Sequence, residues 1–310
     1  MRNYVLKRLG QMIPVLILVS IIIFFVMRLL PGDPISLMLA GAEGGAITAE
    51  RRAELAESMG LNKPVLVQYF DWVSSAIKGD FGESIRMRKP VSDLIREFFA
   101  STFKLSLVGL FFALLFGIST GVIAALNKDS WFDFLAMALA YIGISMPIFW
   151  LGLVLILIFS FKLSWFPSAG GEGFKALILP GLTLGLSSAG LVSRLTRSSL
   201  IEILNEDYIR TARSKGLKER IVVVGHALKN ALIPVITMIG LQFGGMMAGA
   251  VVTETVFSRP GLGKVLVNGI LWMDYPLVQG IILFMATVYM GTNLIVDISY
   301  GFIDPRIRYD

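Results

Sequence analysis

Six stretches of this chain are apolar for about as long as a helix needs to cross a bilayer, and that pattern leaves few folds open. A spanning helix takes about 20 residues. The apolar runs cover roughly 9–30, 101–126, 134–161, 177–195, 231–256 and 278–298, the fourth being the most broken. Over its 310 residues the chain is 55% hydrophobic and 16% charged, against about 25% charged in a typical soluble domain. Its mean hydropathy is +0.74. One soluble core could not hide that much apolar surface. The expectation is an all-α integral membrane protein with six transmembrane helices, residues 1–310 forming a single domain.

The first run is expected to stay in the chain as a span rather than to be cleaved as a leader. Its apolar part exceeds the usual 7–15-residue core of a signal peptide, and the small residues Ala40, Gly41 and Ala42 lie well past its end. The formal charge of +6 points to topology rather than nucleic acid, because many basic residues flank the apolar runs. Arg2, Lys7 and Arg8 precede the first span, which places the N-terminus inside. The loop 194–230 then falls on the same side, with eight basic residues against four acidic, and Arg306 and Arg308 place the C-terminus there too. Residues 31–100 fall outside, with eight basic and ten acidic residues.

That external segment has structure written into it. Pro31-Gly32-Asp33-Pro34 ends the first span sharply. Thr48, Arg51, Glu54, Leu55 and Met59 predict a short amphipathic helix ending at Gly60. Val65, Tyr69, Trp72, Val73 and Ile77 predict a second over 64–77, and Lys89-Pro90 opens a third through Leu94, Ile95 and Phe98. The segment reads as a lid on the span ends, as a dock for an extracytoplasmic partner, or as both. In the fifth span Gly240, Gly244, Gly245 and Gly249 form small-xxx-small spacings, expected to bring helices close together. The run from Glu254 to Gly263 leads into an external loop or re-entrant segment rich in turn residues.

Chemistry is sparse. With no cysteine and only His226, neither a disulfide nor a multi-His or thiolate metal site can be built. H-E-x-x-H is excluded, Ser187-Ser188 has no base beside it, and no G-x-S-x-G elbow occurs. Gly261-Leu262-Gly263-Lys264 lacks phosphate-loop spacing, with Val265 where a hydroxyl belongs. No catalytic residue, metal ligand or cofactor site is expected in the chain. Arg28, Lys104, Glu254 and Asp297 stand near span ends, so mid-depth proton carriers are scarce. A solute mover built this way draws its energy from another chain. Composition alone also allows a membrane scaffold, which predicts no ATPase partner.

The segment 203–234 is the most informative part of the chain. It is amphipathic and charged, breaks at Gly216 and ends at Pro234 as the next span begins. Its run Asp207-Tyr208-Ile209-Arg210-Thr211-Ala212-Arg213-Ser214-Lys215-Gly216-Leu217 resembles the cytoplasmic loop of ABC importer permeases of the dipeptide/oligopeptide/nickel family. Three further runs agree in order: 61–82 with Gln68-Tyr69 and Gly79-Asp80-Phe81-Gly82, 193–197 (Ser-Arg-Leu-Thr-Arg), and 257–263 (Phe-Ser-Arg-Pro-Gly-Leu-Gly). The likeness covers the whole chain and resembles the B-type subunit, whose long first external loop is present.

The resemblance implies a type I ABC importer permease fold and a mechanism. Residues 201–230 would form a cytoplasmic coupling loop whose short helix fits a cleft in an ATP-binding subunit. In the general pattern E-A-A-x-x-x-G the places are filled here by Arg210, Thr211, Ala212 and Gly216, with arginine for the leading glutamate. Ala212 would permit close docking, Gly216 would take positive φ where the chain reverses, and Arg210, Arg213 and Lys215 would orient the partner. The implied partners are two ATP-binding subunits that hold the ATP and magnesium, a second homologous permease forming a heterodimer, and a solute-binding protein. Membrane lipid surrounds the chain and nucleic acid has no part. The implied site is the cytoplasmic membrane of a bacterium or archaeon, and the implied cargo is short peptides, with nickel or glutathione as alternatives.

Overall fold

The computed structural model describes residues 2–29, 57, 62–171 and 173–303. Among them the chain is helical: α1 (Arg2–Leu29), α2 (Val65–Ile77), α3 (Val91–Leu126), α4 (Trp131–Ser145), α5 (Ile148–Leu155), α6 (Lys175–Leu204), α7 (Asp207–Ser214), α8 (Ile233–Val256), α9 (Leu262–Leu271) and α10 (Tyr275–Ile303). A π-wound turn over Ile156–Lys162 continues α5. Between α7 and α8 three short helical pieces follow one another: Glu219–Ile221, Val222–Ala227 and Leu228–Ala231. The expected helix over 48–60 lies outside the described residues, as do Arg306 and Arg308.

Among the described residues five helices are long and apolar enough to cross a membrane, and a sixth span results if α4 and α5, with its π-wound continuation, are counted together. That pair departs from the continuous run expected over 134–161, because it bends by 109° between Ser145 and Ile148. Pro147 supplies no backbone donor, and the residue before a proline is driven out of helical conformation. Met146 accordingly sits at φ −80°, ψ 132°. The third external helix is also corrected. Val91 to Leu126 is one unbroken helix of 36 residues, so Leu94, Ile95 and Phe98 belong to the first turns of α3. No glycine or proline stands between Phe98 and Thr102 to stop it.

The chain divides into two compact units. One comprises Thr102–Arg259 and Gly291–Asp310, the other Arg2–Ser101 and Pro260–Met290. In the first, α6 is the central element. The run expected to be broken is a continuous helix of 30 residues with Pro180 inside it. Its glycines lie against neighbouring helices: a Cβ on Gly185 would come 2.6 Å from Cβ of Phe112 and 2.7 Å from the carbonyl oxygen of Gly109. From the α3 side, a Cβ on Gly117 would come 2.6 Å from Val192, and one on Gly121 would come 2.6 Å from the carbonyl oxygen of Ser193. Gly190 closes in the same way on Ala140 and Ile144 of α4. Without side chains at these points the backbones approach closely, where lipid offers no hydrophobic drive for association. Leu105, Ala113, Leu184, Met246 and Ala250 fill the core between α3, α6 and α8.

The second unit packs α2 along the end of α1. Ser20 and Tyr69 share a hydrogen bond of 2.9 Å between hydroxyls, and Phe24 stacks on Trp72 with ring centroids 5.9 Å apart. Beyond α2 a turn carries an isolated bridge between Glu83 and Pro90. The fully buried Asp274 holds this turn, accepting from the Ser84 hydroxyl at 2.6 Å and from the backbone N–H of Arg86 at 3.0 Å. Its other oxygen caps the start of α10 by accepting from Leu277 N–H at 3.2 Å. A buried carboxylate with three donors is satisfied and structural.

Candidate functional site

Helix α7 is short, and only tertiary contacts make such a helix persist. Asp207 in its first turn favours the positive end of the helix dipole. Its two apolar residues, Ile209 and Ala212, stand three apart on one face and are buried, Ile209 completely. They pack against Ala125, Leu200, Val222, Ala227 and Ala231 in one cluster. Ala212 therefore faces the chain's own core, and its small size lets the α7 backbone lie close on the helices beneath. At the end of α6 the chain turns through Asn205 and Glu206 before α7 begins.

The other face of α7 is open. Asp207, Tyr208, Arg210, Thr211, Arg213, Ser214, Lys215, Gly216 and Leu217 are all exposed. Thr211 and Ser214 turn their hydroxyls back to the carbonyl oxygens of Asp207 and Arg210, at 2.9 and 3.0 Å. Arg210 lies 3.6 Å from Asp207 in a solvated pair worth little. Gly216 ends the helix at φ +77°, the left-handed region that costs a residue with a Cβ about 1 kcal/mol or more. Nothing lies within 4 Å of where its Cβ would be, so conformation and not space calls for glycine there.

Two side-chain pairs lock the loop. Across the Gly216 turn, Arg213 donates to both carboxylate oxygens of Glu219, at 3.1 Å from Nε and 2.7 Å from Nη2. That hydrogen bond holds the Glu219 carboxyl below its ordinary value and the Arg213 guanidinium above its own. The Asn230 amide donates to the Tyr208 hydroxyl at 2.8 Å, tying α7 to the approach to α8. The result is a helix clamped from below and behind, presenting a charged, hydroxyl-rich face on which no other helix packs among the described residues. Among the expected helix-packing glycines of α8, Gly240 meets Val296 and a Cβ on Gly249 would lie 3.2 Å from Leu184. Gly244 is buried, and Gly245 is exposed with open space beside it.

Sequence reasoning missed one feature nearby. Arg197, in the run 193–197, donates from Nε and Nη2 to both oxygens of Asp133, each at 2.6 Å. The Asp133 side chain is 7% exposed and that of Arg197 27%. This fork joins the start of α4 to α6. Asp133 reads in the sequence as an ordinary loop acid, and only its place in the first turn after Ser130 hinted at a helix start.

The sequence matches two family models. One is described as the inner membrane component of binding-protein-dependent transport systems and covers residues 117–309; the other describes the N-terminal part of such membrane components and covers 1–107. The glutathione transport system permease proteins GsiC of Escherichia coli K12 and of Salmonella typhimurium are each 44% identical over 309 residues, covering 100% of both chains. Among solved structures, an inward-facing form of the MetNI methionine ABC transporter superposes with a TM-score of 0.59 at 16% identity. It covers 68% of this chain and 96% of that one. An amino acid ABC transporter superposes at 0.51 and 15%, covering 70% and 95%. At such identities the likeness concerns the fold.

Proposed function

This chain belongs to the binding-protein-dependent transport system inner membrane component family, as a multi-pass permease of the ABC importer class, and from that premise we propose how it works. The exposed face of α7, from Asp207 to Leu217, seats in an ATP-binding subunit on the cytoplasmic side. The observation that carries this is the division of α7 into a buried face and a bare one: Ile209 and Ala212 fasten it to the helices beneath while Arg210, Arg213 and Lys215 stand free of the core. A lever must be rigid on its own side to move what it is attached to. Closure of two ATP-binding subunits would push α7, and the packed α3–α6 contacts would carry that push into the spans, which open alternately to either side.

A related second permease would complete the path, and a solute-binding protein would deliver cargo to the opposite face, where residues 31–100 and 257–277 meet it. We take the cargo to be a short peptide-like solute of the glutathione class, supported by full-length identity of 44% to permeases of glutathione systems. Dipeptides and longer peptides are the second reading, favoured by the few charges within the spans.

The test is purification with the products of neighbouring genes, then ATPase and uptake assays on wild type and Gly216→Asp. Co-purification of an ATPase, with uptake lost and hydrolysis uncoupled in the variant, supports the reading. A chain that purifies alone, with no change in nucleotide turnover, sinks it and favours a scaffold. Uptake of labelled glutathione against labelled dipeptides and nickel separates the cargoes.

A further inference from the structure

The second unit contains a cavity of about 460 Å³ to which the transport reading assigns no ligand, although part of its lining lies in the stretches proposed to meet a solute-binding protein. Its size falls in the range of small-molecule pockets, about 300–1,000 Å³. Phe24 and Arg28 of α1, Gln68, Asp71 and Trp72 of α2, Asp80, and Gln279 of α10 contribute to its walls. Two of these present buried donors with no acceptor among the described residues: the Trp72 indole N–H and the Gln279 side-chain amide, Gln279 being 4% exposed. Buried donors are nearly always satisfied, so two orphans on one cavity point to an acceptor-rich guest.

Arg28 adds charge to that pair. Its guanidinium lies 3.4 Å over the Phe24 ring and donates to the Phe24 carbonyl at 3.1 Å and to Gln68 Oε1 at 2.6 Å. It makes no ion pair with a carboxylate among the described residues, and donors of its fork remain. A planar cation held by a ring and two acceptors is prepared for a phosphate or carboxylate. Asp71 and Asp80 supply negative charge on the same cavity, Asp71 paired with Lys63 at 2.6 Å. The lining thus balances Arg28 and Lys63 against two carboxylates, which suits a zwitterion.

Depth decides between a membrane guest and a dissolved one. Residues 9–27 carry no charged side chain, so Arg8 and Arg28 bracket 19 uncharged positions. At about 1.5 Å per residue these span roughly 28 Å, close to the 30 Å hydrocarbon core. Arg28 therefore stands at headgroup level. Beside it apolar side chains face outward on both helices: Phe25, Val26 and Leu29 of α1, and Leu66, Phe70 and Ile77 of α2. Acyl chains can lie along them while aromatic Trp72 sits at the interface.

We propose that this cavity binds the zwitterionic headgroup of a phospholipid. Arg28, Trp72 and Gln279 take the phosphate, Asp71 and Asp80 face the ammonium, and the outward faces of α1 and α2 carry the chains. The lipid then fills the angle between α1 and α2.

The test is native mass spectrometry of the full-length chain in mild detergent, titrated with phosphatidylethanolamine or phosphatidylglycerol. One phosphatidylethanolamine should be retained in preference to phosphatidylglycerol. Arg28→Gln should weaken retention by about tenfold or more, and Trp72→Phe and Gln279→Leu by about threefold to fivefold. Trp72→Phe keeps an aromatic ring against Phe24 while removing the indole donor, so it reads the site even if Arg28→Gln fails to fold. Arg96→Gln, an exposed change elsewhere in the unit, should leave retention unchanged. Equal retention in all variants overturns the proposal. So does displacement of the lipid by glutathione or a dipeptide at comparable concentration, which would make the cavity a solute site. Equally tight binding of free phosphoethanolamine would assign it to a soluble phosphate ester and not to a membrane lipid.

Discussion

Helices α1 and α6 are both long enough to cross a membrane, yet they are built for opposite surroundings. In the most apolar 18-residue stretch of α1 22% of residues are buried, against 61% in α6. The former is nearly all Leu, Ile, Val, Phe and Met, while the latter carries Gly181, Gly185, Gly190, Thr183, Ser193 and Thr196. Lipid accepts only apolar side chains, so a helix facing it must be uniformly greasy. A helix surrounded by others needs small residues for close approach and can tolerate hydroxyls that bond to its own backbone, as Thr183 does to the Leu179 carbonyl at 2.8 Å. Apolarity along the chain measures exposure to lipid more than membership of the bundle.

The sharpest way to break this comparison is to give each helix the other's residue. Gly185→Leu must drive a side chain into Phe112 and the Gly109 backbone, and should cost about 3 kcal/mol or more. Leu18→Ala on α1, where Leu18 is 56% exposed, should cost little, about 0.5 kcal/mol. The yield of monodisperse protein and its thermal unfolding midpoint in detergent read both. Equal losses would mean that α6 is not the packed element.

Next in size is the fork between α4 and α6. Asp133 is buried and Arg197 half-buried, so removing the carboxylate leaves a guanidinium that water reaches in part, and Asp133→Ala should cost about 1–2 kcal/mol. Arg197→Leu on that background should then cost little more, because the partner is already gone. A double-mutant cycle on unfolding midpoints with additive losses would show that the two side chains do not couple.

These contrasts also explain what was legible in the sequence. α1, α8 and α10 announce themselves because lipid imposes uninterrupted apolar runs. α2 was readable from its spacing because one face packs on α1 and the other does not. The bend at Pro147 was hidden because both halves are equally apolar, although the proline stood in plain view. The continuity of α6 was hidden by its glycines and hydroxyls, which look like breaks until the neighbouring helices are placed against them. Gly117 and Gly121, like Gly181 and Gly185, repeat at the spacing noticed only in α8. At α7 the exposed charges and the turn at Gly216 were legible, since charge pattern and glycine carry local meaning. The inward direction of Ala212 and the fork from Arg197 to Asp133 were not, because both depend on contacts far apart in the chain.

A smaller effect is expected at Gly216, where α7 reverses. Gly216→Ala meets no neighbour, so its cost is the left-handed φ alone, about 1 kcal/mol. Gly216→Asn should recover part of that, since asparagine tolerates this region best among residues with a Cβ. Proteolysis rates of the 207–220 loop in purified protein would report it. A steeper loss for alanine would mean that the open space beside Gly216 is not there.

The smallest effect sharpens the comparison between two forks of the same chemistry. Arg213 and Glu219 form the same two-pronged bond as Arg197 and Asp133, but their side chains are 41% and 59% exposed, so the pair contributes at most about 0.5 kcal/mol. The sign follows from Glu219, whose folded carboxyl lies below the ordinary value of 4.5. Its contribution is fully present above that value and fades as pH falls through the folded one. Glu219→Gln should therefore lower the unfolding midpoint slightly at pH 7, and the difference should fade as pH falls below 4.5 through the lowered folded value. It should also shrink in about 1 M salt, where the Debye length is near 3 Å. A pH-independent difference would mean that Glu219 acts through shape and not charge, and that burial is not what separates the two forks.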